Sequence, residues 1–115
     1  MSLDVLKATE TIEALENFLK GRRPPEEMRN ELDIGYKIEN QSVIIYDIRP
    51  FWRDKSKIIE EPIAKTTWIH TRKVWKIYWM RSDLKWHSYQ PKPHVKTIDQ
   101  FIQVVDEDAH GCFWG

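Results

Sequence analysis

Alternation of hydrophobic and polar residues is strongest between Pro62 and Tyr89, where it predicts three consecutive antiparallel strands. One predicted face is rich in tryptophan and carries Ala64, Thr66, Trp68, Trp75, Ile77, Trp79 and Trp86. The other predicted face carries Lys65, Thr67, Lys76, Tyr78, Lys85, His87 and Tyr89. A period of two that stays in phase across two tight turns indicates a sheet with one buried face. We therefore expect the tryptophan face to form the core and the lysine–tyrosine face to meet solvent or a partner.

Helical periodicity appears at both ends of the chain. The first predicted helix covers residues 3–20, with Ser2 as N-cap and Gly21 just past its end. A short second helix is predicted over residues 25–31. Thr97, followed three residues later by Gln100, predicts a capping box that opens a last helix. These helices are the elements available to cover the tryptophan face.

Two further strands are predicted before the tryptophan-rich stretch, over residues 33–39 and 42–49. Pro50 lacks an amide donor and is expected to end the second of them or to place it at an edge, and the charged residues 53–61 are expected to form a loop. The order is then helix, short helix, five-strand antiparallel meander and helix. This order predicts a single α+β domain over residues 1–115, with the first and last helices packed on the sheet.

The formal net charge is zero, but the charge is unevenly distributed. Residues 62–96 hold eight lysines and arginines against Asp83 alone, whereas residues 1–34 and 97–115 are both acidic. Two interpretations are open: the acidic helices neutralise the basic sheet, or the exposed sheet face binds an anionic partner.

Several short strings resemble, in their order, a bacterial family of uncharacterised proteins, the domain-of-unknown-function family 3024. The strings are Arg23-Pro24, LDIGYKIE at 32–39, RPFW at 49–52, PIAK at 62–65, WKIYWMR at 75–81 with Trp86 and Tyr89 following, and the closing GCFWG. The resemblance covers nearly the whole chain from about residue 20. It implies no activity, cofactor or binding residue.

The exposed face of the sheet is the strongest functional candidate. Its lysines suit phosphates and its flat rings suit bases, so Lys65, Lys76, Tyr78, Lys85, His87 and Tyr89 form a hypothetical site for single-stranded nucleic acid. A homodimer is the other possible partner, because Ile63, Ile69, Val74, Tyr78 and Met80 are predicted on the same face. Against the homodimer stands a fold-back of loop 53–61 over this face. The closing Phe113-Trp114 is expected to dock on its own core.

A metal-dependent or cysteine enzyme is the alternative class. Its candidate ligands are Asp106, Asp108, His110 and Cys112, whose spacing matches no familiar paired-ligand motif. A nucleophilic Cys112 would need His70, His87 or His110 as a base. No phosphate-binding glycine loop, G-x-S-x-G or H-E-x-x-H string is present. The sequence thus predicts no cofactor and does not favour an enzyme.

Cellular location is predicted from three features. Cys112 is the single cysteine, which suits a reducing compartment. The start of the chain has no secretory pattern, and the longest clean apolar run, Val43–Tyr46, is far shorter than the ~20 residues of a membrane span. We expect a cytoplasmic protein that makes no membrane contact.

Overall fold

The computed structural model describes residues 2–114 and shows the predicted α+β architecture. Its elements are α1 (Val5–Arg22), a 3-10 turn (Glu26–Met28), β1 (Asp33–Glu39), β2 (Ser42–Phe51), β3 (Asp54–Ile69), β4 (Val74–Met80), β5 (Trp86–Ser88), β6 (His94–Val95) and α2 (Ile98–Glu107). The sheet is antiparallel in the order β1-β2-β3-β4-β5, which confirms the meander. The short β6 was not predicted, and it pairs with β4 beside β5.

Helix α1 begins and ends later than predicted. Its N-cap is Asp4, whose carboxylate accepts a hydrogen bond of 2.8 Å from the Lys7 amide. The helix passes through Gly21 and ends at Arg22, and the backbone of its C-cap Arg23 is extended because Pro24 follows. Arg23 then donates two hydrogen bonds, of 2.8 and 2.6 Å, to the Asp33 carboxylate. This bidentate pair ties the end of α1 to the start of β1 and lowers the pKa of Asp33.

Helix α2 and the tail after it form one unit. The predicted capping box of Thr97 and Gln100 is confirmed. Asp108 closes the helix in the left-handed conformation, and its carboxylate accepts hydrogen bonds from the Phe113 amide at 3.1 Å and the Trp114 amide at 2.9 Å. The Trp114 indole donates to the Val105 carbonyl at 2.9 Å. The predicted docking of the tail on its own core is therefore confirmed.

One face of the sheet packs against both helices, and we call it the covered face. Its strand residues include Val43, Ile45, Ala64, Thr66, Trp68, Trp75 and Ile77, which are all buried. Leu15 and Leu19 of α1 and Phe101 and Val105 of α2 complete the cluster. Trp75 and Phe101 are fully buried. The prediction that Trp68, Trp75 and Trp79 lie on the core side is confirmed.

The predicted loop at residues 53–61 is wrong, because most of it belongs to β3. Strand β3 has 16 residues and pairs with β2 out to Phe51 and Asp54, with Pro50 inside the ladder opposite Ile58. Residues 49–59 extend beyond the neighbouring strands β1 and β4 as a two-stranded ribbon, which we call the arm. Residues 52–61 are exposed throughout, so neither side of the ribbon shows the apolar alternation that predicts a strand. The proposed fold-back over the sheet does not occur.

Two irregularities change which face some side chains occupy. A bulge places Ile45 opposite Ala64 but Tyr46 opposite Pro62, so the extra residue Ile63 turns into the core instead of onto the exposed face. In the turn at 81–85, Leu84 adopts a positive φ of 62°. This turn shifts the phase of β5 relative to the predicted alternation.

Strand β5 places its residues on the faces opposite to those predicted. Trp86 pairs with Met80 and His87 pairs with Trp79. Trp86 therefore lies on the exposed side of the sheet, while His87 lies on the covered side. Tyr89, whose amide donates to the Ile77 carbonyl at 3.0 Å, is only 2% exposed and belongs to the core.

No helix within residues 2–114 is both long and apolar enough to cross a membrane.

Candidate functional site

The side of the sheet opposite the helices is the candidate binding surface, and we call it the open face. The buried cluster that contains the helices' apolar residues includes Val43 and Ile45 of β2 but not Ile44 between them. The open face carries Lys37, Ile44, Tyr46, Lys65, Thr67, Lys76, Tyr78, Met80 and Trp86. It thus combines cations, aromatic rings and aliphatic side chains.

Register lines up the central residues of this face in one row. Lys37 lies opposite Ile44, Ile44 opposite Lys65, and Lys65 opposite Tyr78. Ile44 is only 9% exposed although no helix packs over it. We attribute this burial to the aliphatic stems of the flanking lysines, which can lie along apolar surface while the ammonium groups stay in water.

Each aromatic ring of the open face has a lysine ammonium near it. Lys37 Nζ is 4.8 Å from the centre of the Tyr46 ring. Lys65 Nζ is 5.5 Å from the Tyr78 ring and 5.9 Å from the Trp86 ring. Lys76 Nζ is 5.3 Å from the Tyr78 ring. Distances below about 6 Å are attractive through the ring quadrupole, so the lysines and rings form one interleaved patch.

The charges of this patch are only partly compensated. Lys37 pairs with Glu60 at 3.2 Å, and this hydrogen bond raises the pKa of Lys37. Lys65 and Lys76 form no ion pair with any residue between 2 and 114. The part of the open face that β3 and β4 contribute is therefore positive.

The structure brings together only part of the predicted site. Lys65, Lys76 and Tyr78 are neighbours on the open face, as predicted. Lys85 lies in the exposed turn before β5, where its amide donates to Asp83 Oδ1 at 3.0 Å. His87, which was predicted beside them, lies on the covered side with Nε2 2.8 Å from Asp83 Oδ2. Tyr89 packs in the core, with its ring 4.9 Å from that of Phe113.

Sequence reasoning missed Lys37, Tyr46 and Trp86 as members of this surface. The alternation of Ile44, Tyr46 and Ile48 is evident in the sequence. It does not show whether these residues lie on the same face of the sheet as Lys65 of β3. The register of the β2–β3 pair decides it, because Ile44 is opposite Lys65. Trp86 could not have been found, since its placement depends on the turn at 81–85.

The predicted metal ligands of the tail have separate structural roles. Asp106 pairs with Arg22 at 2.9 Å, and Asp108 holds the Phe113 and Trp114 amides. Among residues 2–114, no group of three or more histidine, cysteine, aspartate or glutamate side chains is placed to hold a metal ion. The structure therefore does not assemble the predicted ligand set.

Cys112 is not placed as an activated nucleophile either. Its Sγ lies 3.8 Å from the backbone carbonyl of His110 and not against an imidazole nitrogen. Burial, and then the negative charge of Asp108, raise the pKa of the Cys112 thiol. A reactive cysteine needs the opposite shift, towards the thiolate.

Comparison with known proteins identifies the family. The model of the domain of unknown function DUF3024 matches residues 3–115. The chain belongs to this family. The resemblance carried by its short strings is thereby confirmed. No curated protein and no solved structure gives a significant match.

Two of the strings have distinct roles in this DUF3024 domain. The stretch at 75–81 lies mostly in β4 and alternates Trp75, Ile77 and Trp79 on the covered face with Lys76 and Tyr78 on the open face. The tail at 111–114 follows α2 and is fixed by the Asp108 carboxylate. The first therefore builds both faces of the sheet, whereas the second closes the core.

Proposed function

We propose that this DUF3024 domain is a cytoplasmic binding module whose open face takes single-stranded nucleic acid. The observation that carries the proposal is the interleaved patch, in which lysine ammonium groups lie 4.8–5.9 Å from Tyr46, Tyr78 and Trp86. Sheets that bind single strands combine these ingredients: rings stack on unpaired bases and cations meet the phosphates.

The geometry supports separate roles for the rings and the cations. Tyr46, Tyr78 and Trp86 are half-buried, so their positions are held by the sheet and little entropy is lost when a base stacks. Lysine has a flexible four-carbon stem, and Lys65 and Lys76 can move from a ring to a phosphate without breaking an ion pair. The patch therefore offers fixed stacking platforms beside movable positive charges.

A homodimer through the same face is the second candidate. Ile69, Val74 and Met80 lie half-buried on the open face and give it more apolar surface than a solvated sheet needs. A two-fold interface, however, would press this positive patch against its own copy. Charge complementarity therefore favours the anionic partner.

The test is fluorescence anisotropy with labelled single strands of about twelve nucleotides at low and rising salt. The double variant Lys65→Gln/Lys76→Gln should bind about tenfold more weakly. The slope of the logarithm of the binding constant against the logarithm of the salt concentration should become shallower by about 1.4, since each phosphate that is no longer neutralised contributes ~0.7. Lys20→Gln/Lys92→Gln removes the same charge from α1 and from the segment before β6, and should leave both quantities near those of the wild type.

Light scattering on the same samples decides between the two partners. A monomer that takes up the oligonucleotide supports the proposal. A dimer that dissociates when Tyr78 is replaced, and that ignores oligonucleotide, would instead assign the open face to self-association. Equal losses of affinity in the two lysine double variants would also sink the proposal, since binding would then follow net charge alone.

A further inference from the structure

A second concave surface lies at the base of the arm. The groove measures about 690 Å³ and runs between the arm and residues 29–31. Its floor is apolar, formed by Ile48, Pro50, Phe51 and Ile58. This volume falls in the range of about 300–1,000 Å³ that small-ligand pockets occupy.

An exposed tryptophan stands at the end of this groove. Trp52 is 74% exposed at the arm tip, and the Arg53 guanidinium lies 4.6 Å from its ring centre. The Phe51 ring meets it edge-on at 6.1 Å. Trp52 and the exposed Ile58 line the same groove, and a contiguous exposed apolar surface of this kind marks contact with a partner. Arg53 and Phe51 hold the ring in place while most of its surface remains accessible.

The groove is positively charged. Arg29, Arg49 and Lys55 line it, against Glu31 as the one acidic residue of the lining. Arg49 is already paired with Asp47 and Glu61. Arg29 is oriented by a hydrogen bond of 3.0 Å from its Nε to the Pro24 carbonyl, and Lys55 forms no ion pair within residues 2–114. Arg29 and Lys55 are thus the cations left to meet an anion.

We propose that this groove binds one unpaired nucleotide of a nucleic-acid strand, with the base stacked on Trp52 and a phosphate between Arg29 and Lys55. Stacking needs no particular base, because every base has a flat face. The apolar floor suits the edge of the base, and the two cations suit the phosphate. The ligand chemistry is therefore an anion joined to a flat ring.

The nucleotide in the groove is part of the same nucleic-acid chain that crosses the open face. This inference therefore rests on the proposed function. Ile48 and Pro50 follow Ile44 and Tyr46 at a spacing of two along β2, which keeps these two residues of the groove on the side of the open face. From Ile44 to Phe51 the strand rises about 24 Å, at ~3.4 Å per residue. A nucleic-acid strand that crosses Tyr78 and Tyr46 would reach Trp52 by continuing along β2.

The experiment measures oligonucleotide affinity for Trp52→Ala and Arg29→Gln by anisotropy, with about twelve nucleotides. Each variant should bind the oligonucleotide at least about fivefold more weakly. Trp52→Ala removes the stacking ring, and Arg29→Gln removes the guanidinium that meets the phosphate. Trp52→Phe should recover part of the affinity, because it restores a ring. The matched control is Val5→Ala, which truncates another highly exposed apolar side chain, on α1. Urea denaturation should show unchanged stability for the Trp52 variants, since the ring is exposed.

The outcomes separate this inference from the proposed function. If Trp52→Ala and Arg29→Gln bind with wild-type affinity while Lys65→Gln/Lys76→Gln binds more weakly, the groove proposal is wrong and the open-face proposal is supported. If only the groove variants bind more weakly, nucleotide binding in the groove is supported and nucleic-acid binding on the open face is wrong. Competition by uridine monophosphate at the affinity of the oligonucleotide would overturn the assignment to a strand. Competition only by longer chains would support it.

Discussion

Both faces of the sheet carry aromatic rings, but the residues that surround these rings differ. On the covered face, Trp75 is enclosed by aliphatic and aromatic side chains of the sheet and helices. On the open face, Tyr46, Tyr78 and Trp86 each have a lysine within 6 Å. Aromatic content alone therefore does not distinguish the core from the open face. The residues between the rings do.

Cations also appear at the edge of the covered face, where two of them come from α1 and a third, Arg81, follows β4 and lies 5.6 Å from the Trp79 ring. Lys7 Nζ lies 4.2 Å from the Trp68 ring and the Arg22 guanidinium 4.3 Å from the Trp114 ring. The Trp68 and Trp114 rings lie where the core meets solvent. The cations over them therefore cover the edge of the core. On the open face, the lysines come from the strands themselves and stand between the rings.

The largest contrast is expected between Trp75→Ala and Tyr78→Ala, two truncations on opposite faces of the same strand, β4. Trp75 is fully buried, so its truncation should lower the free energy of unfolding by about 3–5 kcal/mol. Tyr78 is half-buried, and its truncation should cost at most about 1.5 kcal/mol while weakening oligonucleotide binding. Urea denaturation and anisotropy measure the two effects. Comparable destabilisation by both variants would contradict the distinction between the faces.

A smaller effect is expected where the tail closes the covered face. Asp108→Ala removes the acceptor of two amide hydrogen bonds and puts alanine at a positive φ, and should cost about 2 kcal/mol. Its control, Asp106→Ala, breaks only the exposed pair with Arg22 and should cost about 0.5 kcal/mol or less. Thermal unfolding measures both. Neither variant should change oligonucleotide affinity, and weaker binding by Asp108→Ala would show that the tail contributes to binding.

The finest comparison uses one substitution on two successive residues of β3. Thr66 lies on the covered face, fully buried, and donates to the Lys76 carbonyl at 2.8 Å. Thr67 lies on the open face, with Oγ1 2.8 Å from Ser42 Oγ. Thr66→Val should cost about 1 kcal/mol and Thr67→Val about half as much, because water can reach the Ser42 hydroxyl after the change. Equal costs, measured in urea, would show that the open face is as dry as the covered face.

Sequence patterns predicted the order of the elements because most strands have one buried side. The alternation around Trp75 and Lys76 made both faces of β4 visible, and Thr97 with Gln100 located the start of α2. Gly21 misled, because the end of α1 is set by Pro24 and not by a left-handed glycine. The helix therefore extends to Arg22.

Two other errors arose where the sequence carries no direct signal. The arm is exposed on both sides, so its strands show no apolar alternation, and Pro50 is tolerated inside the ladder. The faces of Trp86, His87 and Tyr89 depend on the turn before them, in which Leu84 takes a conformation usually left to glycine. An error of one residue in a turn moves every following side chain to the other face. The structure therefore keeps Lys65, Lys76 and Tyr78 together on one face as predicted, whereas His87 and Tyr89 lie on the covered side.

The free edge of the sheet has a consequence for how the protein behaves at high concentration. Within residues 2–114, strand β1 pairs only with β2, which leaves one row of its backbone amides and carbonyls open to another chain. The side chains of β1 on the open face include Asp33, Lys37 and Glu39, whose charges make a flat, apolar approach by a foreign strand costly. The opposite edge is divided between the short strands β5 and β6. Neither of these two edges offers a long apolar template, so growth by strand pairing should be resisted at both of them.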